Sequence, residues 1–111
     1  HAAELKHGPI ALLEESVPVI AIMTDMPGKE KTVNNVRECQ ARSAPVLGVV
    51  TEGDDVTANI ADYEITLPPV SHYVSPITTV VALQLFAYHV AKLRGCDIDK
   101  PRNLAKSVTV E

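Results

Sequence analysis

Val17-Pro18-Val19-Ile20-Ala21-Ile22-Met23 and Val46-Leu47-Gly48-Val49-Val50 are two short, uninterrupted apolar runs, and the stretch between them decides the fold. Runs of this length, rich in β-branched residues and closed by turn formers such as Pro27-Gly28, read as strands buried on both faces, the pattern of a parallel sheet. From Lys29 to Arg42 the chain turns charged and helical in period, with Val33, Val36 and Gln40 on one side, and Ser43 and Pro45 stop it. Strand, helix, strand is the unit of an α/β domain, so the two runs are expected to be parallel neighbours in one sheet.

Working outward, Thr51 to Asn59 contains Gly53-Asp54-Asp55 and reads as a loop at the carboxyl end of the second strand, where open α/β sheets bind ligands. Tyr63-Glu64-Ile65-Thr66-Leu67 alternates and meets Pro68-Pro69, which predicts a third strand near an edge. Ser75-Pro76 then opens a long helix, with Ser75 as N-cap, Pro76 in the first turn and Gly95 as C-cap. Its residues are apolar nearly all round from Ile77 to Leu93, which predicts burial between the sheet and something outside the chain, because three strands cannot cover it. Toward the amino end, Gly8-Pro9 interrupts a short helical stretch and sets His7 at a helix end or turn.

Composition bounds the functions. With 111 residues, 46% of them apolar, the chain is one domain at most, with enough apolar content for a single core. The formal charge of -4, with scattered basic residues, leaves no footprint for nucleic acid. Uninterrupted apolar runs stay well short of the ~20 residues of a membrane span, and the start lacks signal-peptide order, so a soluble cytoplasmic protein is expected. Cys39 and Cys96 form no CxxC pair and suit a reducing compartment. A chain opening on His1 reads as a processed product or a piece of a longer polypeptide.

Two side chains stand out as chemical candidates. Lys106 lies in the aperiodic tail Arg102-Asn103-Leu104-Ala105-Lys106-Ser107-Val108-Thr109-Val110-Glu111, where a buried, deprotonated amine on a closing flap could condense with a carbonyl. On position alone a solvated surface lysine is the commoner explanation. His7 could move a proton near neutral pH, or could simply end a helix. Glu4 is either an acid/base partner or a complement to a helix amino terminus. His72 and His89 fit structural positions better. The histidines and cysteines have no metal-ligand spacing, and there is neither a GxGxxG nor a P-loop, so neither metal nor cofactor is expected.

Glu4-Leu5-Lys6-His7-Gly8-Pro9-Ile10-Ala11-Leu12, Pro18-Val19-Ile20-Ala21-Ile22, Leu83-Gln84-Leu85-Phe86-Ala87-Tyr88-His89-Val90-Ala91 and the tail from Asp99 to Glu111 together resemble the carboxyl-terminal part of the glucosamine-6-phosphate synthase family, the isomerising glutamine:fructose-6-phosphate aminotransferases. The tail motif is specific to that family, whereas ELKHGP alone indicates only the wider sugar-isomerase (SIS) group. The resemblance implies an SIS-type α/β fold, a parallel sheet flanked by helices, truncated at its amino end. Residues 1–111 would be the carboxyl-terminal part of one SIS domain, with 100–111 as tail and lid.

The resemblance also implies roles. Lys106 would form a Schiff base with the keto carbon of fructose-6-phosphate, Ala105 would give a backbone contact to substrate, and His7 would help open the sugar ring in the site of a neighbouring subunit, so a homo-oligomer is implied. Ammonia would come from glutamine in an upstream glutaminase domain, and no cofactor is implied. The family's phosphate-binding loop and its proton-moving glutamate would lie upstream, leaving this piece inactive alone. The competing reading is a non-catalytic SIS module that binds phosphosugars, and Lys106 discriminates, since a sensor has no use for an amine held in the tail.

Overall fold

The two apolar runs do become adjacent parallel strands. In the computed structural model, which describes residues 1–100, β1 (Val19–Met23) lies beside β2 (Val46–Thr51), with Ala21 opposite Gly48 and Met23 opposite Val50. β3 (Tyr63–Leu67) pairs in parallel with the other side of β2, Val49 facing Ile65. The order β1-β2-β3 makes β3 an edge strand, as its alternation and following prolines predict. The fold is therefore α/β with a parallel sheet, as expected.

Between β1 and β2 runs α1 (Lys29–Gln40), entered through Gly28 at a left-handed φ of 84°. It leaves through Ser43, whose φ of 63° takes the place usually held by glycine. There the Ser43 N–H donates to Gln40 O and the Ala44 N–H to Cys39 O, a Schellman closure. Val33, Val36 and Cys39 descend at helical spacing onto Ala21, Met23, Val46 and Val50. Each buried aliphatic side chain contributes about 1.5–3 kcal/mol relative to exposure, so this helix-on-sheet layer is the main source of stability. Gln40, at the end of the inward face, donates to Ile60 O at 2.9 Å and fastens the loop before β3.

One glycine in this layer is dictated by close approach. A Cβ on Gly48 would sit 2.8 Å from both the Ala61 Cβ and the Met23 terminal methyl. The methionine end can swing away, but the alanine carbon is fixed to its backbone. Gly48→Ala is therefore expected to destabilise the chain by about 1–3 kcal/mol through overpacking. Chemical denaturation reads this as a lower midpoint, and an unchanged midpoint would mean that the Ala61 segment yields freely.

One expectation about burial is corrected. β1 is not buried on both faces: Ala21 and Met23 point into the core, but Ile20 and Ile22 are 44% and 46% exposed. Among the described residues β1 is one of the two edges of a three-stranded sheet, and α1 covers one side of it. In the long helix α2 (Ser75–Leu93) only Ser75 and Thr79 are enclosed, so its apolar sides are open to the cover expected from outside the chain.

By contact the chain divides at Thr79 into two compact units, 1–79 and 80–111. In the first, Ser75 does not cap the helix as expected. It already sits in the first turn, its N–H bonding to Ser71 O, and its hydroxyl donates to Thr24 Oγ1 at 3.0 Å, tying the helix start to the end of β1.

In the second unit the rest of α2 exposes Val80, Val81, Leu85 and Leu93, and Gly95 ends it as predicted, with a φ of 70° and Cys96 N–H donating to Ala91 O. By length and composition Ser75–Leu93 is apolar enough to cross a membrane, although Thr78, Thr79, Gln84 and His89 break it into shorter apolar runs.

Candidate functional site

The Glu4-Leu5-Lys6-His7 string lies in a short helical element of three-residue period. Residues Ala2–His7 make a 3₁₀ segment, Gly8 follows at φ 151°, and Pro9–Leu12 makes a second. With about three residues per turn, side chains at i and i+3 eclipse, so the segment has three faces. Ala2 and Leu5 turn inward, Leu5 packing against the core cluster. Lys6, on the second face, pairs with Glu38 of α1 at 2.8 Å. Glu4 and His7 share the third, outward face, with Nε2 of His7 4.0 Å from the Glu4 carboxylate and both side chains more than 70% exposed. The gap exceeds hydrogen-bond distance, so these two groups are neighbours that a ligand could bridge.

At the carboxyl edge of the sheet lies a second cluster that sequence reading missed. Lys29 Nζ donates to Asp25 Oδ1 and to Asp54 Oδ2, both at 2.8 Å. Asp25 follows β1 and Asp54 follows β2, so the lysine staples the two strand ends together. Asp54 also accepts from the Val56 N–H and the Thr57 hydroxyl, and the Asp25 N–H donates to Thr51 Oγ1. Hydrogen bonds to Asp25 and then Asp54 hold the Lys29 ammonium above its usual range, and the bond from Lys29 holds the Asp54 carboxyl below its own. Two carboxylates take up this lysine's charge, so the cluster braces the strand ends and does not offer a free cation to a phosphate. Its one sequence signal was an Asp and a Lys four apart just after a strand.

The other candidates fall as follows. Lys106 and Ala105 lie outside the described residues. The structure thus brings Glu4 and His7 together. His89 is exposed and stands edge-on to Tyr88, while His72 packs its ring against Tyr73 at 3.9 Å. A groove of about 440 Å³ runs along the free edge of β1, lined by Ala2, Leu5, Ile20, Ile22, Val36 and Cys39 among others. Its lining is mostly apolar, and burial pushes the Cys39 thiol upward, which keeps it protonated and unreactive.

Known proteins resemble this chain in sequence and in fold. Over 110 residues the chain is 51% identical to the isomerizing glutamine–fructose-6-phosphate aminotransferase of Bacteroides thetaiotaomicron, and 53% identical over the same length to that of Halobacterium salinarum. Each alignment covers 99% of this chain but only 18% of the relative, so the chain spans less than a fifth of their length. A solved C-terminal domain of glucosamine-fructose-6-phosphate aminotransferase from Francisella tularensis superposes with a TM-score of 0.77 at 33% identity, over 89% of this chain and 28% of that one. Because the SIS domain model matches residues 1–94, taking in all three strands, both helices and the Glu4–His7 turn, the chain belongs to the SIS domain family.

Proposed function

We propose that this chain is the closing portion of the isomerase half of an enzyme that makes glucosamine-6-phosphate from fructose-6-phosphate and glutamine-derived ammonia. What carries the reading is identity of about one half over nearly the whole chain to enzymes of that name. Residues 1–111 are then the carboxyl-terminal part of one SIS domain, with 100–111 as the lid. The phosphate loop and the glutaminase belong to upstream parts of a cytoplasmic parent. The apolar faces left open on β1 and α2 pack inside the parent assembly and not in lipid.

On this reading the deprotonated Lys106 amine attacks the keto carbon of the open-chain sugar, and the carbinolamine loses water to give an imine; Ala105 contacts the substrate through its backbone. His7 moves the proton between the anomeric hydroxyl and the ring oxygen as the ring opens, reaching into the site of a neighbouring subunit of a homo-oligomer. The outward face it occupies, away from the core side where Leu5 packs, suits that reach. The chemistry needs no cofactor.

His7→Asn in the full-length enzyme tests the assignment. Turnover of fructose-6-phosphate is expected to fall about 10²–10³-fold, the usual worth of a proton-transfer group. Turnover of 5-deoxyfructose 6-phosphate, which lacks the hydroxyl that closes the ring, should stay within about twofold, since no ring needs opening. Equal losses on both substrates would remove His7 from ring opening.

A further inference from the structure

We propose that Glu38 on α1 is a positioning residue for His7, acting through Lys6 to hold the turn that carries the imidazole. The inference rests on the reading of His7 as the ring-opening group. Short 3₁₀ segments have poor hydrogen-bond geometry and little stability of their own, so what aims this one must come from outside it. Among the described residues, no hydrogen bond joins 1–12 to α1 or to the sheet. Two kinds of tie remain: the apolar contacts that Leu5 and, just after the segment, Leu13 make with the core, and the 2.8 Å Lys6–Glu38 ion pair.

The two kinds act differently. Leu5 sets the depth of the segment and limits its roll, but an apolar contact has no preferred direction and defines the angle only loosely. The ion pair fixes the roll, since Lys6 sits one position from His7 and a three-residue period puts their side chains about 120° apart. With Lys6 held against α1, His7 must face outward beside Glu4. Glu38 is next to the buried Cys39 and two residues from the buried Val36, and so stands on a stretch of helix anchored to the core. The pair is half exposed, at 51% and 40% of the side chains, and such pairs contribute about 0–1 kcal/mol. One kcal/mol biases a two-state orientation about fivefold, which sets the size of the expected effect.

The test uses the full-length enzyme and compares Glu38→Gln with His7→Asn. Glu38→Gln is expected to lower kcat on fructose-6-phosphate about three- to fivefold, with KM within about twofold and turnover of 5-deoxyfructose 6-phosphate unchanged. The reversed pair Lys6→Glu with Glu38→Lys should recover most of that kcat, which neither single reversal does. Equal losses on both sugars would mean a merely structural role, and an unchanged kcat or a reversed pair without recovery would equally overturn the proposal. If His7→Asn slows the cyclic sugar severely while Glu38→Gln does not, only the positioning role falls. If His7→Asn leaves the cyclic sugar untouched, the ring-opening reading falls and takes this one with it.

Discussion

Borohydride added to the full-length enzyme together with fructose-6-phosphate is expected to attach the sugar covalently at Lys106. Hydride reduces the imine carbon–nitrogen double bond to a stable secondary amine, so peptide mapping finds the phosphosugar on the tail peptide. Lys106→Arg is expected to abolish the adduct and to lower turnover by about 10³-fold or more, the usual scale for losing a covalent nucleophile. A guanidinium keeps its proton at any pH a protein tolerates and has no free electron pair with which to attack a carbonyl. The readout separates two levels of the reading. A label on Lys6 or Lys92 would remove Lys106 as the Schiff-base residue while leaving imine chemistry standing. No label on any lysine, under conditions where the enzyme turns over, would remove imine chemistry and favour a phosphosugar-binding SIS module.

How much of this was legible in the sequence follows from where each signal resides. The parallel neighbours β1 and β2 were readable because buried strands write themselves as unbroken apolar runs, and the helix ends because Gly28, Ser43 and Gly95 sit where the backbone must leave the helical region. Burial itself was less legible. An apolar run records the cover a segment has in its complete assembly, so Ile20, Ile22 and most of α2 read as buried although the described residues cover neither. Ser75 was misread for a related reason: a hydroxyl before a helix suits capping, and only the fold brings Thr24 within its reach.

The site divides the same way. Glu4 and His7 could be paired from spacing once a three-residue period was recognised, but nothing local links Lys6 to Glu38 or Lys29 to Asp54, which are 32 and 25 residues apart in sequence. Ties of that range are products of topology.

The Lys29 staple gives the second large expected effect. Lys29 and Asp54 have side chains only 13% and 8% exposed, so Lys29→Met leaves a carboxylate largely out of water with its cation gone. Breaking such a pair costs several kcal/mol. Here about 3 kcal/mol is expected, at the low end, because Asp54 keeps the Val56 N–H and the Thr57 hydroxyl. That is a large part of the 5–15 kcal/mol or so that a domain holds. Adding Asp54→Asn should recover roughly 1–2 kcal/mol, since the amide oxygen still accepts from Val56 and no charge is stranded.

The pH dependence follows from the directions of the two shifts. The Asp54 carboxyl is held below its ordinary value, so its contribution is complete above about pH 4, where the unfolded carboxylate is ionised, and is lost as pH falls through the lower folded value. The Lys29 ammonium is held above its ordinary value, so its contribution is complete below about pH 10 and is lost as pH rises through the raised one. Denaturation midpoints of the unaltered chain should therefore form a plateau between those limits and decline at each end. Lys29→Met should remove the alkaline decline that this pair causes and flatten the acid one, so the gap between the two chains narrows at both extremes. A gap of constant size from pH 2 to pH 6 would show that charge attraction between Lys29 and Asp54 is not what holds the strand ends together.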